Sequence, residues 1–158
     1  GLILSGRKGE AMSDSDLVKL YSGRILALAA DIPHLGRLPA PTGTARKRSP
    51  LCGSTVTVDL VMKAGRVAEF AQDVKACALG QASAAVLGGV ILGRSRAELE
   101  AARDGLRAML KEGGAVPAAP FDGYEVLIPA REYKNRHASI LLALDAACEA
   151  AAMAEAAA

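Results

Sequence analysis

Aromatic residues are scarce in this sequence, and tryptophan is absent. Phe and Tyr together make up 3% of the 158 residues. Proteins that bind single-stranded nucleic acid stack bases on aromatic rings, so the composition argues against that function. A hydrophobic content of 51% still allows a buried core. We therefore expect one domain of ordinary size, with a core built from Ala, Val, Leu and Ile.

An excess of one charge sign is also missing. The formal net charge is +2, and residues of both signs are spread along the chain. A DNA-binding domain carries a dense basic face, which this pattern does not provide. The one basic cluster, Arg46-Lys47-Arg48, is short. We interpret it as a solvated edge strand.

Cysteine is sparse, and no long hydrophobic run occurs. The three cysteines, Cys52, Cys77 and Cys148, do not resemble a disulfide framework and favour a reducing compartment, the cytoplasm. The longest apolar stretch, residues 82–93, is too short to span a membrane. No secretory signal is recognisable. Residues 1–11 precede Met12 and are expected to be an expression remnant or a disordered N-terminus, which leaves 12–158 as a single domain.

Alternating residues predict a three-stranded antiparallel sheet over about 44–49, 54–62 and 66–75. The apolar face of the central strand carries Val56, Val58, Leu60 and Met62. The polar face of the same strand carries Thr55, Thr57 and Asp59. The sheet is therefore expected to bury one side, against helices.

Helical patterns occur on both sides of these strands. A start signal at residues 13–16 opens a helix that ends near Asp31, and further helices are expected over 78–92, from a capping box at Ser95 to 113, and over 134–153. Residues 115–131 contain three prolines and are expected to be extended, with a short strand at 124–128. Strands that precede most of the helices indicate an α+β fold.

Cys77 lies in the stretch VKACALGQASAAV, where a strand ends and a helix begins. Unpaired amide groups and the helix dipole favour negative charge at such a position. A thiolate is the form of cysteine that binds metals and attacks sulfur. A small buried core residue is the alternative interpretation.

Cys52 directly precedes the central strand, and Cys77 follows the next one. In an antiparallel hairpin the start of one strand lies beside the end of the other, so the two cysteines should be close. Such a pair favours metal binding, and a tetrahedral site needs further ligands. His137, at the start of the last helix, is the best candidate. His34 is expected to be an exposed loop residue.

These motifs together resemble the U-type iron–sulfur cluster scaffolds, the family of IscU, SufU and the NifU N-terminal domain. The motifs are Cys52-Gly53, Cys77 followed by Ala82-Ser83-Ala84, and His137-Ala138-Ser139-Ile140-Leu141. The resemblance covers roughly residues 13–150 and is nearer to the SufU branch. It implies that Cys52, Cys77 and His137 bind a labile iron–sulfur cluster or a zinc ion. It also implies a pyridoxal-phosphate cysteine desulfurase and recipient apo-proteins as partners.

The sequence departs from the family pattern at two positions. The acidic residue after Cys-Gly is replaced by Ser54, and the third cysteine corresponds to Ala138. Cys148 lies ten positions further along the helix, on the order of 15 Å away, and is expected to belong to the core. On this alignment Ala138→Cys should tighten metal binding.

Three functions follow from the resemblance and its departures. The first is a non-enzymatic scaffold-like protein that binds iron–sulfur or zinc through Cys52, Cys77 and His137. The second is a persulfide sulfurtransferase, with a zinc-dependent enzyme as its variant, in which Cys77 or Cys52 accepts sulfur from a cysteine desulfurase and passes it on. The third is a degenerate homologue that acts as a regulatory or binding subunit. A cysteine hydrolase that uses Cys77 with His137 is a further alternative, but no oxyanion site is recognisable.

Overall fold

The computed structural model describes residues 20–158, and its centre is a three-stranded antiparallel sheet. The strands are β1 (Gly43–Arg48), β2 (Thr55–Lys63) and β3 (Arg66–Lys75), in the order β1-β2-β3. The helices are α1 (Gly23–Ala30), α2 (Ala78–Gly88), α3 (Arg96–Lys111) and α4 (Lys134–Ala157), with a 3₁₀ helix at Phe121–Glu132. The predicted α+β class and sheet are confirmed. The helix-start signal at 13–16 and the segment 1–11 lie outside the described residues.

The inner face of the sheet packs against the last helix. Val56, Val58 and Leu60 of β2 are almost fully buried, as predicted. Helix α4 crosses β1 and β2 on this side. It approaches β1 so closely that a side chain on Gly43 would overlap the backbone carbonyl of Ala150. The sheet and α4 therefore form the two layers of the core.

The outer face of the sheet is more buried than the alternation predicts. The side chain of Asp59 is fully buried and receives hydrogen bonds from Arg37 Nε (2.6 Å), the Leu38 amide (3.1 Å) and Thr44 Oγ1 (2.7 Å). The loop before β1 supplies the first two donors and thereby covers this part of the sheet. A buried carboxylate requires such partners, and pattern alone does not reveal a covering loop.

The predicted short strand at 124–128 is wrong, because this segment is a 3₁₀ helix. Phe121, Tyr124, Leu127 and Ala130 recur every third residue and are all buried. That spacing matches the three residues per turn of a 3₁₀ helix, so one apolar row faces the core. The prolines in the region had suggested an extended chain.

The remaining helices differ from the predictions mainly at their ends. Ser22 caps the start of α1, where its Oγ accepts a hydrogen bond from the Ile25 amide (3.4 Å), so the predicted continuous first helix is interrupted there. Helix α2 ends at Gly88 rather than near residue 92. The capping box of Ser95 and Glu98 at the start of α3 is confirmed.

Candidate thiol and metal site

Cys52 lies in the exposed turn between β1 and β2. The turn is closed by two backbone hydrogen bonds, from the Ser49 amide to the Ser54 carbonyl (2.8 Å) and from the Gly53 amide to the Ser49 carbonyl (2.9 Å). Gly53 has a φ of 72°, which glycine adopts without strain. The local fold therefore holds the Cys52 sulfur at the end of the sheet.

Two hydroxyl groups contact the Cys52 sulfur. Its Sγ lies 3.3 Å from Ser49 Oγ and 3.1 Å from Ser54 Oγ. Hydrogen bonds from Ser49 and Ser54, with a smaller contribution from Ser139, lower the pKa of Cys52 to about 7. As a thiol, Cys52 donates to Ser49 Oγ; after ionisation the hydroxyls donate to the sulfur, which stabilises the thiolate near neutral pH.

Cys77 is the N-cap residue of α2, directly after β3. Its Sγ lies 3.5 Å from Ser139 Oγ on α4, and Ser139 Oγ donates a hydrogen bond of 3.1 Å to Ser54 Oγ. Since Ser54 also contacts Cys52, two serine hydroxyls connect the two thiols. The structure thus brings Cys52 and Cys77 to the same end of the sheet.

Ser139 reaches the thiols because α2 and α4 pack very closely. A Cβ on Gly80 would lie 2.6 Å from Ser139 Oγ and 3.2 Å from the Ser139 carbonyl oxygen. Ser83 strengthens the same contact, because its Oγ donates a hydrogen bond of 2.6 Å to the Ile140 carbonyl. Glycine at position 80 therefore allows α4 to present Ser139 to Cys77.

His137 is buried and faces a different part of the protein. Its Nε2 lies 3.0 Å from the Ala130 carbonyl oxygen and 3.1 Å from that of Arg131. Two acceptors at one ring nitrogen place the proton on Nε2 and leave the Nδ1 lone pair available. Residues two apart on a helix do not face each other, so His137 and Ser139 point in different directions. The structure does not bring His137 to the two cysteines.

Among residues 20–158, no group of three or more His, Cys, Asp or Glu side chains is placed to hold a metal ion. The side chains at the thiols are two cysteines and three serines. Serine hydroxyls are poor ligands for soft, thiolate-rich centres. An ion or cluster bound here would therefore keep coordination positions open to another ligand.

The remaining candidate residues lie away from the thiols. Cys148 is buried in the core, as predicted, and burial raises its pKa to about 12. His34 is exposed, as predicted, with its ring edge against Phe70 at 5.9 Å between centroids.

Ser49 and Ser139 contact the thiols although neither is a predicted site residue. The sequence contains one indication that Ser139 is buried and hydrogen-bonded. It is a polar residue at the start of an apolar run, and residues 139–144 are all buried. A buried hydroxyl needs a hydrogen-bond partner, and here that partner is Ser54. On the family alignment the third cysteine corresponds to Ala138, and the side chain of its neighbour Ser139 is the one that contacts Cys77.

Three solved structures resemble this fold. The N-terminal part of a nitrogen-fixing NifU-like protein from Brucella abortus is 44% identical, with a TM-score of 0.87 over 89% of this chain and 98% of that one. A hypothetical protein is 21% identical, with a TM-score of 0.76 over 85% of this chain and 98% of that one. A candidate SUF-system iron–sulfur cluster assembly scaffold from Fervidobacterium islandicum AW-1 is 18% identical, with a TM-score of 0.72 over 82% of this chain and 94% of that one.

No protein-family model matches the chain, and no curated protein does either. The two structures below 25% identity support the fold alone. Within residues 20–158, none of the helices has the length and apolar character that crossing a bilayer requires.

Proposed function

Because the chain belongs to the family of NifU-like N-terminal domains, we propose that it is a carrier in iron–sulfur cluster assembly. It holds a labile cluster, or a zinc ion, through the thiolates of Cys52 and Cys77. The observation that carries this proposal is the contact chain from Cys52 through Ser54 and Ser139 to Cys77. Thiolates are the ligands that iron–sulfur clusters and zinc share.

His137 remains the predicted third ligand. A histidine that binds metal through one ring nitrogen usually donates its other N–H to a carbonyl or carboxylate. The Nε2 of His137 already contacts two backbone carbonyls. A metal would therefore be bound by Nδ1. It would also require the start of α4 to turn towards the thiols.

Metal analysis of protein purified without chelator tests the carrier function. We expect zinc, or iron after anaerobic reconstitution with ferrous iron and sulfide, to fall to background in Cys52→Ser and in Cys77→Ser. Cys148→Ala is the matched control, because that cysteine lies in the core, and it should retain the metal. Metal that persists in both site variants would refute the proposal.

His137→Gln tests the third ligand separately. Glutamine retains a donor for the carbonyls of Ala130 and Arg131 but lacks the imidazole nitrogen. If His137 is a ligand, this variant should lose metal as Cys77→Ser does. If His137 only holds the 3₁₀ helix against α4, metal binding should be close to wild type.

A second function is acceptance of sulfur by Cys52, favoured by its exposure and its lowered pKa. The thiolate would attack the outer sulfur of a persulfide on a cysteine desulfurase. The Cys52 persulfide forms as the donor thiolate leaves, and no external oxidant or reductant is needed. Mass spectrometry should then find one added sulfur on wild type and Cys77→Ser, and none on Cys52→Ser.

The two assays also identify the third alternative. A regulatory or binding subunit would neither retain metal nor accept sulfur, although its fold would be intact by circular dichroism. By family resemblance, its partners would still be a cysteine desulfurase or recipient apo-proteins in the cytoplasm.

A further inference from the structure

Four cations near the thiol end of the sheet, three of them exposed and Arg136 half-buried, have no acidic partners among the described residues. Arg46, Arg48, Lys75 and Arg136, which we call the basic rim, form no ion pair within the described chain. Ion pairs are frequent elsewhere, especially along α3 and α4. The basic rim therefore presents positive charge that no acidic side chain of the described residues neutralises.

The strand register places three of these cations on the outer face of the sheet. Arg48 lies opposite Thr55, and Thr55 lies opposite Lys75. The two cations therefore lie on either side of Thr55, in the row of the sheet nearest the thiols. Arg46 lies one row further, opposite Thr57. Its neighbour Lys47 points the other way, to Glu149 on α4.

The fourth cation extends the basic rim around the site. Arg136 precedes Ser139 by three residues, so both lie on the same side of α4. Ser139 contacts Cys77, so the turn of α4 that carries Arg136 borders the thiol site. Two acidic residues lie in the neighbourhood, and neither forms an ion pair with a cation of the basic rim. They are the exposed Glu132 and Asp73, which lies opposite Thr57 in the same row as Arg46.

An exposed apolar side chain accompanies these charges. Leu51, directly before Cys52, is 76% exposed, which is the largest value among the exposed large hydrophobic residues of the described chain. Leu51 follows Arg48 by three residues in the turn that carries Cys52, so an apolar contact is available beside the unpaired charges.

We propose that the basic rim docks an acidic segment of the protein with which Cys52 exchanges sulfur or cargo. The complementary charges guide that segment to the thiols, and Leu51 packs against it once it is bound. Steering of this kind raises association rates and weakens with salt. This proposal takes one point from the proposed function, namely that Cys52 exchanges sulfur or cargo with another protein.

A thiol–disulfide exchange reaction tests the docking without metal or cluster. The probes are two peptides that carry one cysteine as a mixed disulfide with thionitrobenzoate, flanked by glutamates in one and by glutamines in the other. The Cys52 thiolate attacks the peptide sulfur, and thionitrobenzoate leaves as a coloured anion. The ratio of the two rate constants measures docking and cancels changes in the intrinsic reactivity of Cys52.

We expect the acidic peptide to react roughly tenfold faster at low ionic strength, and the ratio to approach one at high salt. Arg48→Gln with Lys75→Gln should reduce the ratio to near one. The matched control removes two exposed, unpaired cations elsewhere, with Lys63→Gln and Lys111→Gln, and should preserve it. Cys52→Ser should abolish the reaction, which assigns the signal to this thiol.

Three results would overturn the docking proposal. They are a wild-type ratio near one, an equal reduction in the control double variant, and a single-stranded oligonucleotide that inhibits far better than polyglutamate of the same charge. The last would assign the surface to nucleic acid. Because the assay needs neither metal nor persulfide, its outcome is independent of the carrier test above.

Discussion

Ser139 Oγ lies 3.5 Å from Cys77 Sγ, so α4 presents Ser139 to the thiols. Successive residues on an α-helix are rotated by about 100°, so Ala138 and Ser139 point in different directions. This relationship changes which substitution should complete the site.

Ser139→Cys should tighten zinc binding, by more than about tenfold, because it places a third thiolate next to Cys77. Ala138→Cys, the substitution that the sequence alignment suggests, should have a smaller effect. Competition with a chromogenic chelator measures both. A larger gain for Ala138→Cys would mean that α4 rotates when metal binds.

The reactivity of Cys52 should depend on pH near neutrality. Its pKa is lowered to about 7, so the alkylation rate should rise through pH 7 and level off above about pH 8. Ser49→Ala and Ser54→Ala should each move the midpoint upward, because each removes a hydroxyl donor to the thiolate. Iodoacetamide kinetics in a Cys77→Ser background measure the alkylation of Cys52 without that of Cys77. A midpoint unchanged in both serine variants would mean that these hydroxyls do not lower the pKa of Cys52.

Gly80→Ala should destabilise the protein and disturb the site. The new Cβ would lie 2.6 Å from Ser139 Oγ and 2.8 Å from Ala76 Cβ. Overpacking of this kind costs about 1–3 kcal/mol, partly offset by the better helix propensity of alanine. Urea unfolding measures the free energy. Gly89→Ala is the control, since its Cβ meets only ordinary contacts of 3.6 Å or more and should be neutral or slightly stabilising.

Asp59→Asn should reduce the free energy of unfolding by about 1–3 kcal/mol at neutral pH. Burial alone raises the pKa of Asp59, but the hydrogen bonds from Arg37, Thr44 and the Leu38 amide outweigh it, and the net pKa is lowered. The carboxylate therefore stabilises the fold above its unfolded pKa, and this contribution is lost as pH falls through the folded value.

The difference in unfolding free energy between wild type and Asp59→Asn should consequently shrink in acid. Urea titrations at neutral pH and below about pH 3.9, the ordinary pKa of aspartate, measure it. Asp73→Asn, on the same face of the sheet but without an ion pair, provides the control and should show little difference at either pH. A constant gap for Asp59→Asn would mean that charge is not the source of its stability.

The sequence by itself determined the sheet and the pairing of the cysteine-bearing ends. Strict alternation in Val56, Val58 and Leu60 leaves one register that buries all three, and a short hairpin brings Cys52 and Cys77 to one end. These features depend on local periodicity and chain connectivity, which a linear pattern records.

Only the tertiary structure decided which groups surround the thiols. Ser139 is 62 positions from Cys77 in the sequence, and the two meet because Gly80 lets α2 and α4 approach closely. The residue pattern of either helix alone does not predict this contact. The same holds for His137, whose Nε2 contacts carbonyls of the 3₁₀ helix rather than the site. Helix rotation and interhelical distance result from packing of the whole core, so a linear pattern does not reveal that Ser139 meets Cys77.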